Sequence, residues 1–243
     1  TTDLPPTSSS ADSLRLPDFI VAGADGCGDL LLYDWLCSSP SVWARRPRTL
    51  HFFSHLADLG ARFYARFFED CPAGSICGEV SSSYLEASNA ALARHGHDAA
   101  AALAGTCPAA RVIVILSDPA ARAIALCGPH AVADDVTLAG LRTQCGDRPL
   151  VTGQYVVPLR RLADAVGRDR LLVLSATDLL DAPAVASRLA SFLDIVAPDV
   201  SALPAIERDR VIAPAPRGRL HGQLREYYAS SLIELEAEFG VSV

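Results

Sequence analysis

The 243-residue chain contains no lysine and no methionine, and Asn89 is its only asparagine. Its 21 fixed positive charges are all arginines, set against 28 carboxylates, for a net charge of −7. No run of basic residues occurs. That acidic balance argues against nucleic acid as a partner, because phosphate backbones are held by clustered Lys and Arg. No apolar stretch approaches the roughly 20 residues needed to cross a bilayer, so nothing reads as a transmembrane segment. No secretory signal pattern is visible, and the first residue is threonine, so the expectation is a processed or trimmed form whose targeting segment lies outside this sequence. The seven cysteines form no C-x-x-C pair, which removes the usual zinc signature.

What is present is an apolar half of the chain, enough for one substantial core. Residues 1–17 are rich in Ser, Thr and Pro and read as a linker or tether. Residues 18–243 read as one domain. Abundant Ala, Arg, Gly and Pro point to GC-rich coding, so drift to arginine alone would explain a missing lysine. Cys71 and Cys77 bracket a Pro-Ala-Gly turn, and Cys127 and Cys145 flank a loop and helix. Each pair is placed either to form a disulfide or to stay as small buried thiols. The odd count leaves at least one thiol free.

Hydrophobic patterning predicts strands over 18–23, 76–80, 111–116 and 171–174, with a short apolar segment at 50–53. Helices are predicted over 29–39, 57–68, 83–95, 99–104, 137–145, 154–165, 184–193 and 220–239, and another starts at Asp118-Pro119. Trp43 falls in a loop after the first helix. The stripe of Phe63, Tyr64, Phe67 and Phe68 reads as core packing. Short buried strands separated by helices imply an α/β fold: a central parallel sheet flanked by helices on both faces.

The segment DFIVAGADGCGDLLLYDWL, residues 18–36, reads as a buried strand, a glycine-rich turn and an amphipathic helix. That is the outline of a phosphate-binding loop. Its glycines, Gly23, Gly26 and Gly28, do not follow dinucleotide spacing. Further segments then follow in a telling order: PDFIVAG with LYDWL, HFFS with GARFYARFFEDCP, GEVSSSYLEA, RVIVILSDPAARA, GQYVVPLRRL, LLVLSATDLLDAP, SFLDI and APRGRLHGQLREYY. In that order the chain resembles the carbohydrate sulfotransferases of the heparan sulfate type, over residues 17–240. The resemblance implies a P-loop-like sulfotransferase fold and 3′-phosphoadenosine 5′-phosphosulfate (PAPS) as donor. It also implies a Golgi lumen, although an organelle lumen or matrix fits the sequence equally.

The departures from the family pattern concern charge. The family's first loop carries a lysine and two threonines around the donor's phosphosulfate; the corresponding positions are Gly26, Asp29 and Leu30, with Cys27 and Gly28 between. The arginine and serine of its 3′-phosphate site correspond to Ser117 and Ala125, while Asp118, Pro119 and Arg122 keep the turn and helix start. Its glutamate base corresponds to Thr49, and the acidic residue after the paired phenylalanines to Ser54. The lysine that follows Glu79 is Val80. Candidate catalytic residues are therefore reduced to His51 and Glu79. Candidate cofactor residues are Gly23, Gly26, Gly28, Arg122, Tyr155, Arg217, Gly218 and Arg219, with His221 close behind. Hydrogen bonds to charged groups contribute about 1.5–3 kcal/mol each. Losing three such contacts would remove roughly 5–8 kcal/mol, or several decades of affinity. A missing base would lower the rate by a further ~10²–10⁴.

The resulting expectation is a sulfotransferase-like domain that has lost catalysis, needs no cofactor, and serves a binding or scaffold role with another protein or a glycan. The alternative is an active PAPS-dependent enzyme on an arginine-based site, which would bind PAPS or adenosine 3′,5′-bisphosphate. Trp43, Tyr227, Tyr228, Leu232 and Leu235 are candidates for an apolar partner surface. His95, His97, His130 and the pair Asp134-Asp135 do not make a convincing metal set. The run Ser81-Ser82-Ser83 lacks a nucleophile elbow and reads as turn chemistry.

Overall fold

The structure, a computed structural model, describes residues 14–89, 92, 98–128, 136–211 and 218–243. From the N-terminal side, β1 (Phe19–Val21) leads through the glycine turn into α1 (Asp29–Leu36) and then β2 (Val42–Trp43). A π-helical turn (Phe52–Leu56) and a 3₁₀ turn precede α2 (Gly60–Ala65). Next come β3 (Ile76–Val80), α3 (Ser83–Ala87), α4 (Ala99–Thr106), β4 (Arg111–Leu116) and α5 (Pro119–Cys127). Then follow α6 (Leu138–Cys145), α7 (Arg148–Val151), α8 (Val156–Val166), β5 (Leu171–Ser175) and α9 (Ala182–Leu193). The last helices are α10 (Ala205–Val211) and α11 (Arg219–Phe239).

The five strands form one parallel sheet in the order β2-β3-β1-β4-β5. Both faces of the central strands are buried, and the alternation of their side chains explains it. Val112, Val114 and Leu116 of β4 join Ile20 in a cluster with α4 and α8. Ile113 and Ile115 join Phe19 and Val21 in a second cluster on the opposite face, with α1 and α9. Successive residues point to opposite sides, so a run such as RVIVIL is uniformly apolar only if both sides are covered. A third cluster fastens α5, α6 and α7 to α11 through Ala123, Leu141, Leu150, Leu224 and Tyr228. The expected α/β architecture is thus the observed one.

Several local expectations are corrected. Trp43 lies in β2, paired with Cys77 of β3, not in a loop. The 50–53 segment enters a π-helical turn, because adjacent Phe52 and Phe53 are both buried against Tyr64 and a strand would send them to opposite faces. The helix over 57–68 is interrupted. It begins as a 3₁₀ turn and leaves α-helix after Ala65, where Phe67 and Phe68 donate to carbonyls three residues back and the Phe67 carbonyl accepts from Arg45 Nε at 2.8 Å. The helix over 83–95 keeps its α form to Ala87; Asn89 N then bonds to Glu86 O, three residues back, and residues 90–91 and 93–97 lie outside the described residues. The helix α10 was not anticipated. Two residues proposed for a partner surface are core: Tyr228 is 0% exposed and Leu235 is 1% exposed, whereas Ile233 on the same helix is 70% exposed. His95, His97, His130, Asp134 and Asp135 lie outside the described residues. All seven cysteines are free thiols, yet Cys77 interacts with Cys71, and Cys127 with Cys145. Among the described residues no helix is long and apolar enough to cross a membrane.

Gly78 shows how tightly β3 and β1 are packed. A Cβ there would lie 2.5 Å from the Phe19 carbonyl oxygen and 2.6 Å from its ring. Overpacking of this kind costs about 1–3 kcal/mol. Gly78→Ala should therefore lower the free energy of chemical unfolding by that amount, while Ile233→Ala should leave it within about 0.5 kcal/mol.

Candidate functional site

The strand order places β1 between β3 and β4, so the crevice at the carboxyl ends of these strands is where a parallel α/β sheet binds ligands. Three segments meet there. The first is the turn over 22–28. The second follows β3 and carries Ser81, Ser82 and Ser83. The third follows β4 and carries Ser117 and Asp118. Gly23 adopts φ 137°, and a Cβ would press on Leu85 Cβ and Ser82 O, both at 3.1 Å. Gly28 adopts φ 93° as the residue before α1. These glycines let the backbone turn sharply and approach its neighbours.

The turn is fastened from α5. Arg122 is only 3% exposed. Its Nε donates to Asp25 O at 2.5 Å, its Nη2 to Glu86 Oε1 at 3.5 Å, and its guanidinium lies 5.9 Å from the Tyr155 ring centre. Tyr155 is buried, and its hydroxyl donates to Ser117 O at 3.1 Å. The Cys27 sulfur lies 3.1 Å from Ser117 Oγ and 3.7 Å from the Tyr155 hydroxyl. Burial pushes the Cys27 thiol up, out of the reactive range. Asp118 caps α5 by accepting from Ala120 N at 2.9 Å, and His221 Nε2 lies 3.4 Å from its second oxygen.

The electrostatics of this turn run against an anion. A helix start with its unpaired N–H groups is a ready-made anion site. Here Asp29 stands at the first position of α1, 5% exposed. Burial pushes its carboxyl up to about 6; neighbouring Asp25 adds to the rise, and the backbone N–H groups of Leu30 and of Asp29 itself oppose it. The chain thus supplies its own carboxylate at the helix start. Val211, the last residue of α10, covers the turn, with a methyl group 2.9 Å from where a Cβ on Gly28 would be. The groove beside it, about 620 Å³, is lined by Asp25, Asp29, Asp34 and Glu207 against Arg48 and Arg210. Arg48 is paired with Asp34.

On the other side of the turn lies a second cavity of about 340 Å³, lined by Asp25, His51, Ser54, His55, Ser83, Glu86 and Arg148 among others. His51 reaches it from a left-handed backbone, φ 51°, a conformation unusual for a non-glycine residue and costing on the order of 1 kcal/mol. Its N–H donates to Ser81 Oγ at 2.9 Å, and the Leu50 N–H to Glu79 Oε2 at 3.2 Å. Glu79 is fully buried and accepts from the hydroxyls of Tyr64, of Tyr84 at 2.7 Å and of Ser81 at 2.9 Å. Burial pushes its carboxyl up. Glu79 does not line the cavity. Through the Leu50 N–H and Ser81 it pins the His51 segment to β3.

The structure therefore gathers Gly23, Gly26, Gly28, Arg122 and Tyr155 around one turn and sets His51 across from them. Of the late glycine segment, His221 reaches Asp118 at 3.4 Å. Gly218 and Arg219 are exposed at the start of α11, and Arg217 lies outside the described residues. Among the described residues there is no group of three or more His, Cys, Asp or Glu able to hold a metal. Sequence reasoning missed Asp25, Glu86, Arg148 and the contacts of Ser83, which no motif marks.

No model of a protein family matches the chain, and no curated protein matches it in sequence. Solved structures do match. A crystal structure of a sulfotransferase from Alicyclobacillus acidocaldarius superposes with a TM-score of 0.69 at 20% identity, covering 94% of this chain and 97% of that one. A sulfotransferase from Mycobacterium avium superposes with a TM-score of 0.51 at 15% identity, covering 92% of this chain and 78% of that one. At these identities the likeness concerns the fold. The chain has the P-loop-like α/β fold of sulfotransferases.

A carboxyl whose value is raised on folding binds its proton more tightly in the native state. Its contribution to stability therefore falls as pH climbs from the ordinary 3.8 toward about 6, and stays low above that. Asp29→Asn removes this penalty. It should stabilise the protein by up to about 3 kcal/mol at pH 7.5, since each tenfold change in proton affinity on folding corresponds to about 1.4 kcal/mol. The gain should vanish near pH 3.5. Thermal unfolding across pH checks both the size and the pH dependence.

Proposed function

We propose that this chain is a sulfotransferase-fold domain that has given up sulfuryl transfer and serves a binding or scaffold role, in contact with another protein or a glycan. The segment order supports descent from the carbohydrate sulfotransferases of the heparan sulfate type. The observation that carries the reading is Asp29: a buried carboxylate at the helix start where a phosphosulfate would need N–H groups and a cation. Val211 against Gly28 and the excess of acids in the adjoining groove act in the same direction.

One observation favours a second reading, an active PAPS-dependent enzyme on an arginine-based site. Nη1 of the buried Arg122 guanidinium has no hydrogen-bond partner, which leaves a cation near the turn with a spare donor. Calorimetry with adenosine 3′,5′-bisphosphate separates the two. The binding or scaffold reading expects no heat of binding at millimolar ligand. Micromolar binding that Arg122→Ala or Arg217→Ala abolishes would overturn it in favour of the second reading.

A further inference from the structure

The cavity beside the turn holds a chain of hydrogen-bonding groups that the cofactor question does not touch. His51 Nδ1 lies 2.7 Å from Ser83 Oγ. Ser83 Oγ lies 2.7 Å from Ser54 Oγ, and Ser54 Oγ 2.7 Å from His55 Nδ1. Each hydroxyl has one proton to donate and can accept others. One consistent direction runs from His55 N–H to Ser54 and from Ser83 to His51, with the single Ser54 proton shared between Ser83 Oγ and the His51 carbonyl, 3.1 Å away. In that direction His51 is the acceptor and Ser54 donates to the oxygen that would become negative when Ser83 loses its proton. A hydroxyl within hydrogen-bond reach of a base, with a further group orienting the pair, is the arrangement of an activated nucleophile.

Burial and the neighbouring His55 hold His51 below the ordinary histidine value, so the imidazole is neutral and able to accept a proton at pH 7. The groups facing it are His55, Asp25, Glu86 and Arg148. Arg148 Nη2 is engaged by Glu86 Oε2 at 2.6 Å. Glu86 is shared by Arg148 and the buried Arg122, so Asp25 and Glu86 are balanced by two arginines and the cavity suits a neutral electrophile. Its size, at the low end of the ~300–1,000 Å³ typical of ligand pockets, fits a small molecule.

We propose that Ser83 is a nucleophile activated by His51, and that the cavity takes small neutral carboxylic esters. The Ser83 oxygen bonds to the ester carbonyl carbon as its proton passes to His51 Nδ1. The tetrahedral species then breaks its bond to the alkoxy group, which leaves as the alcohol with the proton from His51. Water releases the acid from Ser83 by the same steps in reverse, with His51 taking and returning the proton. No co-reactant other than water is consumed. Sulfuryl transfer is not involved, so nucleotide binding, whatever its outcome, leaves this proposal standing or falling on its own test.

The test is labelling of the full chain by a fluorophosphonate probe, with the modified residue mapped by mass spectrometry and the rate followed across pH. The serine oxygen displaces fluoride from phosphorus, and His51 takes the proton. The expected result is modification at Ser83, abolished in Ser83→Ala. His51→Asn, chosen because Asn tolerates the left-handed backbone, should slow it at least tenfold. In the wild-type chain the rate should be level above pH 7 and fall only below the ordinary histidine range. Hydrolysis of p-nitrophenyl acetate should show the same dependence. No labelling of Ser83 beyond that of the denatured chain, equal labelling in a folded His51→Asn variant, or a rate rising steadily with pH like free hydroxide chemistry would each overturn the proposal.

Discussion

One buried cation holds the crevice in its present form. Arg122 comes from α5, is almost wholly removed from water, and grips the carbonyl of Asp25 in the turn between β1 and α1. A buried guanidinium is tolerated only if it is paired and hydrogen-bonded. Here the pairing comes from inside the protein: a backbone carbonyl, the Glu86 carboxylate and the face of Tyr155. The turn, α3, α5 and the residue before α8 are joined through this one group. These partners occupy Nε and Nη2 and leave Nη1 without one.

The packing around it follows from that choice. The turn stays sharp because its glycines allow close approach, and α1 starts directly after it. The lining is acidic and apolar. A carboxylate stands at the helix start and a valine methyl group lies over the last glycine. Apolar contacts define the sulfotransferase fold, and they are spread over two sheet faces where charge plays no part. The fold therefore does not depend on which charges stand at its mouth. Glu79 illustrates the same separation. It is a buried carboxylate in β3 that accepts from three hydroxyls and the Leu50 N–H, and so holds the segment that carries His51.

Much of this architecture was legible in the sequence, and the reasons are specific. RVIVIL and FIV are continuous apolar runs that only a doubly covered parallel sheet accommodates, and Asp118-Pro119 and Thr137 are helix starts whose caps form as expected. The short β2 was not legible, because two residues carry no period. The short apolar segment at 50–53 left its form open and the helix over 57–68 proved interrupted; the buried pair Phe52-Phe53 and the hydrogen bond from Arg45 to the Phe67 carbonyl decided the outcome. The uncharged Gly26 and Ser117 and the acidic Asp29 were legible by position, and the structure adds that Asp29 is buried at the start of α1. The grouping of His51, Ser54, His55 and Ser83 was not, since it arises from a π-helical turn meeting the end of β3, two segments nearly thirty residues apart. Likewise Tyr228 and Leu235 looked available on an amphipathic helix and are instead its buried face.

The account rests on the turn being built around its own negative charge. The most direct measurement is the titration of the Asp29 carboxyl carbon by NMR, with and without saturating adenosine 3′,5′-bisphosphate. A midpoint raised to about 6, unmoved by the nucleotide, is the predicted result. A midpoint at or below the ordinary aspartate value, or one that shifts upward when nucleotide is added, would mean that the helix start still receives an anion, and would contradict the account.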